Sequence, residues 1–179
     1  MYVSQRLVMV IHLYFGEVTI DLYQGKLMLH LQSHVNRKVK VPRSYFWQRL
    51  RAFDKIQTLL PKTIKEVKIP ENFSNSPGDV RYVYLEKVYH GEVIERLDGF
   101  IEEKFMTYSV IDKSCLPVEN YVSTLNIKKT NENYTEVDWY GHFKALKKNK
   151  EETVNMFQFN YNLICDNMEK QYSDLNSNS

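Results

Sequence analysis

The sequence predicts an α+β domain, an antiparallel sheet of about seven strands with two short helices after its first strand and one long helix at its C-terminal end. Three observations predict it. Between residues 63 and 143, short segments rich in Val, Ile, Tyr, Phe and Thr alternate with turn residues at hairpin spacing. Between Pro42 and Pro61 the apolar residues recur at helical intervals. From Val154 to Tyr172 an apolar stripe at steps of three and four runs for about five turns.

Taken in order, residues 1–30 are the least regular part. An apolar stretch precedes residues 17–31, whose alternation suits a hairpin turning at Gln24 and Gly25; the segment reads as an accessory hairpin or a partly disordered extension. Residues 31–41 form an extended strand that Pro42 ends, and Pro42 is also acceptable at a helix start. Phe46, Trp47, Leu50 and Phe53 then mark one helix, and Asp54 offers an N-cap for a second, carrying Ile56, Leu59 and Leu60. Strands follow over residues 63–69, 80–85, 88–97, 104–111, 121–127 and 135–143. Turn chemistry lies at residues 72–78, His90-Gly91, Asp98-Gly99, 112–117 and 131–133, which favours sequential hairpins over a parallel sheet. Asn149 with Glu152 three residues later gives a start for the last helix, whose stripe of Val154, Phe157, Tyr161, Ile164, Met168 and Tyr172 is widened by Met156, Phe159 and Leu163. Residues 173–179 read as a frayed, disordered polar tail.

Composition narrows the function classes. The 179 residues, 43% hydrophobic and 26% charged, suit one ordinary soluble domain. Such a chain buries roughly 70% of its unfolded surface, so neither disulfides nor metals are needed to hold it. Collagen-like and wholly disordered readings are excluded. With 24 basic and 22 acidic side chains the net charge of +2 supplies no electrostatic case for nucleic acid, and no nucleic-acid partner is expected. Cys115 and Cys165 have no CxxC spacing, so two reduced thiols and a cytoplasmic location are expected. The apolar run at residues 7–15 is too short to span a bilayer, is interrupted by His12, and has no small-residue cleavage site after it.

The strand residues Pro77-Gly78-Asp79-Val80-Arg81, Val93-Ile94-Glu95-Arg96-Leu97, Tyr108-Ser109-Val110-Ile111, Tyr121-Val122-Ser123-Thr124-Leu125 and Thr135-Glu136-Val137-Asp138-Trp139, with Trp47 in the first helix, resemble in order and spacing the polyketide cyclase/dehydrase-like branch of the START-related superfamily. The resemblance covers residues 31–172. It implies the helix-grip fold, a curved sheet wrapped around the long C-terminal helix with an apolar pocket between them, and it implies no single reaction.

Period-two alternation sets Arg81, Val83 and Leu85 on one face, and likewise Val93, Glu95 and Leu97; Met106, Tyr108 and Val110; Tyr121, Ser123 and Leu125; and Val137, Trp139 and Phe143. On a concave surface these make an apolar cavity with a few polar anchors, the composition of small-ligand sites. Arg81 and Glu95 are the sharpest pair if their strands are neighbours, as a structural ion pair, a ligand anchor or a catalytic pair. Lachrymatory-factor synthases in the superfamily look similar in placing Arg and Glu at these positions. By that resemblance Arg81 stabilises an oxyanion and Glu95 shuttles a proton in a cyclase, dehydratase or isomerase. Tyr108, Tyr121 and Trp139, and Met156 and Phe159 on the helix, are candidate ligand contacts or core residues.

The five histidines, His12, His30, His34, His90 and His142, have no metal-ligand spacing, and no GxSxG, Walker A or GxGxxG motif occurs. No metal or cofactor is therefore expected. Lys144, Lys147, Lys148 and Lys150 form one basic cluster, read as a solvated loop or a peripheral contact with anionic lipid. The expected partner is a small hydrophobic or amphipathic ligand.

Overall fold

A computed structural model describes residues 7–13, 16–23, 26–86, 89–112 and 114–177, with side chains from residue 28 onward except residue 147. Its strands are β1 (Leu7–Leu13), β2 (Gly16–Tyr23), β3 (Lys26–Val39), β4 (Ile64–Lys68), β5 (Val80–Leu85), β6 (Gly91–Ile101), β7 (Phe105–Val110), β8 (Val118–Asn131) and β9 (Tyr134–Leu146). They form one antiparallel sheet in the order β1-β2-β3-β9-β8-β7-β6-β5-β4. The seven strands β3 to β9 are the curved sheet that holds the C-terminal helix α2 (Lys150–Ser177), and α1 (Arg43–Arg51) and a 3₁₀ helix (Phe53–Thr58) follow β3. This is the α+β architecture read from the sequence. No helix among the described residues is long and apolar enough to cross a membrane.

The remaining two strands belong to the N-terminal segment. β2 pairs with β3 from Tyr23↔Lys26 to Ile20↔Leu29, the hairpin expected about Gln24 and Gly25, although those two residues lie outside the described ones. β3 then runs on without interruption, so one strand crosses the boundary that the sequence pattern placed at residue 30. Its far side pairs with β9 from Met28↔Leu146 to Val39↔Thr135.

Local chemistry moves several boundaries. Asp98-Gly99 is not a turn: the register shifts between Leu97 and Gly99, making a bulge, and β6 continues to Ile101. The chain reverses at residues 102–104, where Glu103 takes φ 52° and the Lys104 amide donates to the Ile101 carbonyl at 3.0 Å. The second helix starts at Phe53, so Asp54 sits inside its first turn and makes no cap; it pairs with Lys55. Residues 173–177 are helical rather than frayed, because Asn176 and Ser177 each donate a side-chain hydrogen bond to the carbonyl four residues back. The basic stretch after β9 is no loop, since β9 reaches Leu146 and a single 3₁₀ turn, Lys147–Asn149, leads into α2.

Two sets of polar contacts fix the helices on the sheet. Arg37 of β3 donates to Asp166 at 2.7 Å and to Glu169 at 3.3 Å, and the Lys40 amide donates to Glu169, which pins the second half of α2 along β3. At α1, Trp47 Nε1 donates to Glu102, Arg43 pairs with Glu103 at 2.9 Å, and the Arg51 guanidinium lies 3.8 Å from the centre of the Phe100 ring. The core between these layers includes Phe46, Phe53, Leu59, Leu97, Met106, Leu125, Trp139 and Met168, all almost wholly buried.

Candidate functional site

Alternation along the strands puts the expected side chains indoors. Arg81 and Val83 of β5, Val93 and Leu97 of β6, Met106 and Tyr108 of β7, Tyr121, Ser123 and Leu125 of β8, and Val137, Trp139 and Phe143 of β9 are all buried. α2 covers them with Phe157, Tyr161, Ile164, Cys165 and Met168, whose steps of one, three and four keep them on one face. The layers do not close completely. Between the open end of β5 to β8, the 3₁₀ helix and the first half of α2 lies a cavity of about 100 Å³.

Its apolar wall is made by Ile56, Leu60, Ile64, Val83, Val93, Phe157 and Ile164, and its polar groups are Thr63, Arg81, Glu95, Tyr108, Tyr121, Asn160 and Tyr161. Leu85, Leu116 and Asn160 are only half-buried, which sets the mouth among β5, the 114–117 segment and α2. The space equals about three water molecules at roughly 30 Å³ each. That is well below the roughly 300–1,000 Å³ of drug-sized ligand pockets. The bare cavity thus accepts a small group, and a larger molecule must leave part of itself at the mouth or displace its half-buried wall.

Arg81 and Glu95 are direct cross-strand partners in β5 and β6. Arg81 Nε donates to Glu95 Oε2 at 2.7 Å, Nη2 is 2.7 Å from the same oxygen, and Nη1 donates to the Phe53 carbonyl at 2.6 Å. The guanidinium also lies 3.8 Å from the centre of the Phe53 ring and 5.6 Å from that of Tyr108. Side-chain exposure is 5% for Arg81 and 14% for Glu95, so the pair is desolvated and each member depends on the other. All three guanidinium nitrogens are engaged. As arranged, Arg81 holds Glu95 and the 3₁₀ helix and is poorly placed to serve an oxyanion as well.

The inner wall is phenolic. Tyr121 and Tyr161 share a hydrogen bond of 2.6 Å between their hydroxyls, and burial raises the pKa of both. Burial, with the Glu95 carboxylate second, also pushes the Tyr108 phenol up, so the three tyrosines are neutral donors at physiological pH. Room for Tyr161 comes from Gly141 of β9: a Cβ there would overlap the Tyr161 hydroxyl, and would lie 2.7 Å from Ser33 Oγ and 3.3 Å from Tyr121 Cε2.

Four of the seven candidate residues, Arg81, Glu95, Tyr108 and Tyr121, line the cavity. Three do not. Trp139 is fully buried in the core beside it, stacked on Tyr161 at 4.6 Å and donating to Ser123 Oγ at 2.8 Å. Met156 packs half-buried against the core without reaching the lining. Phe159 is 66% exposed, because the rotation that turns Phe157 and Tyr161 inward turns Phe159 out. The lining residues Tyr161, Ile164, Ile56 and Leu60 were legible only as members of apolar stripes, and Asn160 carried no signal. Among the described residues, no group of three or more His, Cys, Asp or Glu side chains could hold a metal ion.

No family model and no curated protein matches the chain. Solved structures do. An uncharacterized protein from Bacillus thuringiensis is 25% identical with a TM-score of 0.66, the match covering 79% of this chain and 98% of that one. The protein XoxI from Bacillus cereus is 26% identical with a TM-score of 0.67, covering 81% and 97%.

Proposed function

We propose that this chain binds a small hydrophobic or amphipathic molecule in the cavity between sheet and C-terminal helix, as a member of the polyketide cyclase/dehydrase-like, START-related proteins that its strand residues resemble. One observation carries the reading: a desolvated Arg81–Glu95 pair stands on the wall of a cavity whose other lining side chains are apolar or neutral. A sheet and helix that served only as scaffold could do about as well with well-packed apolar residues at these two positions, since a buried ion pair is often no better than such packing. The cavity's size restricts the buried part of the ligand to a few heavy atoms, with the remainder across Leu85, Leu116 and Asn160.

The test is native mass spectrometry of the freshly purified protein, followed by methyl-detected NMR under xenon pressure. A retained apolar compound, or xenon shifts confined to Ile56, Leu60, Ile64, Val93 and Ile164, supports the reading. A chain of bare mass whose cavity methyls ignore xenon refutes it. A role for Arg81 and Glu95 in cyclisation, dehydration or isomerisation is the second reading, favoured by their juxtaposition. It requires that Glu95→Gln abolish turnover of the retained compound while changing its affinity only a few-fold.

A further inference from the structure

The Arg81–Glu95 pair is lopsided. Both guanidinium contacts fall on Oε2, and among the described residues nothing donates to Oε1. A carboxylate oxygen in a largely apolar wall calls for a donor, and the unmade hydrogen bond costs free energy whenever the cavity is emptied of water. Glu95 is also the more exposed partner and lines the cavity, whereas every guanidinium nitrogen of Arg81 is already engaged.

The charges select further. Arg81 already neutralises Glu95, so an added anion would meet a committed guanidinium and an added cation would meet a compensated carboxylate. Either would bury a third charge without a counterpart. A neutral donor fits where a charged one does not. We infer that the cavity takes the hydroxyl end of a neutral apolar molecule, the O–H donating to Glu95 Oε1 while Arg81 remains on Oε2. This rests on the proposal that the cavity is a ligand site, and it names the class of ligand: alcohols, in preference to ketones, amines and carboxylic acids of the same skeleton.

The experiment titrates the full chain, labelled at Ile, Leu and Val methyls, with cyclopentanol, cyclopentanone, cyclopentylamine and cyclopentanecarboxylate at pH 7. Shifts at Ile56, Ile64 and Ile164 report occupancy. Cyclopentanol is expected to bind about tenfold more tightly than the ketone or either charged analogue, because only it satisfies the oxygen without importing charge. In Glu95→Gln the preference should vanish or turn toward the ketone, because the amide oxygen stays on Arg81 and the position of Oε1 becomes an NH2 donor. Glu95→Asp, which keeps the charge but withdraws the oxygens by one methylene, should weaken cyclopentanol more than cyclopentanone. Equal affinities, or a preference for the carboxylate, overturn the inference and leave the ligand cavity standing. A preference that survives both substitutions overturns it as well. Failure of all four probes and of xenon removes the cavity reading, and the inference with it.

Discussion

Replacing Gly141 by alanine puts a methyl group where the Tyr161 hydroxyl already sits, with Ser33 Oγ 2.7 Å away and Tyr121 Cε2 3.3 Å away. None of these neighbours can yield cheaply. Tyr161 is held by its stacking on Trp139 and its hydrogen bond to Tyr121. The backbone of Gly141 is fixed on both sides, opposite Ser33 in β3 and Ser123 in β8. Overpacking in a well-ordered core costs about 1–3 kcal/mol, and a site boxed in this way belongs at the upper end, about 2–3 kcal/mol. For a chain of this size that lowers Tm by about 5–10 °C. Tyr161→Phe alone removes one buried hydrogen bond and should cost about 1–2 kcal/mol. The double variant is the decisive construction. With the hydroxyl gone the new methyl has most of the space it needs, so urea unfolding should show the pair to be less destabilised than the sum of the singles by about 1 kcal/mol or more. A Gly141→Ala protein within about 0.5 kcal/mol of the parent, or strictly additive effects, would refute this account of the inner wall.

Other outcomes follow from the same geometry. Arg81→Leu strands Glu95 in the cavity wall and should destabilise the fold by about 3 kcal/mol, as removing one partner of a buried pair does, whereas Glu95→Gln, whose amide oxygen still accepts from Arg81, should cost less; chemical denaturation separates them. Burial tends to raise the Asp138 pKa, but hydrogen bonds from His34, Asn36 and Tyr140 outweigh it and the net shift is downward. A depressed folded pKa contributes stability that is present above the unfolded value of about 3.9 and is lost as pH falls through the folded one. Asp138→Asn should therefore flatten the acid limb of the stability profile below about pH 4, and an unchanged limb would show these hydrogen bonds to be inert. Burial pushes the Cys165 thiol up to about 12 and Cys115 upward as well. Maleimide should label Cys165 only through global unfolding, while half-buried Cys115 reacts from the native state; equal native rates would contradict the packing of α2.

The sheet was legible because hairpins leave a local record. Asn131 to Tyr134 reverses within two residues, and β9 alternates so regularly that every second residue from Thr135 to Ala145 is buried. The Arg81–Glu95 contact was legible for the same reason, as the period of two and an intervening turn bring the two positions together. What failed depended on rotation or on context. An apolar stripe as broad as that of α2 does not say which edge faces inward, so Phe159 and Met156 looked as good as Tyr161. Asp98-Gly99 has the composition of a turn but serves as a bulge, because the strand beside it, β7, continues to offer partners. Trp139 has a ligand-like polar handle, yet Ser123 from the neighbouring strand satisfies it.

β3 sits between β2 and β9, and its long pairing partner, β9, comes about a hundred residues later in the chain. Closing so wide a loop is entropically costly, so this pairing belongs with the slow, non-local steps of folding. During synthesis β3 leaves the ribosome well before β9, and α2, which covers the same strand, comes later still. For that interval the nascent chain carries the hairpin of β2 and β3 with one side unpaired and its Val35 and Val39 uncovered. A ribosome-bound chain truncated before residue 134 should accordingly be a better chaperone client than the finished protein.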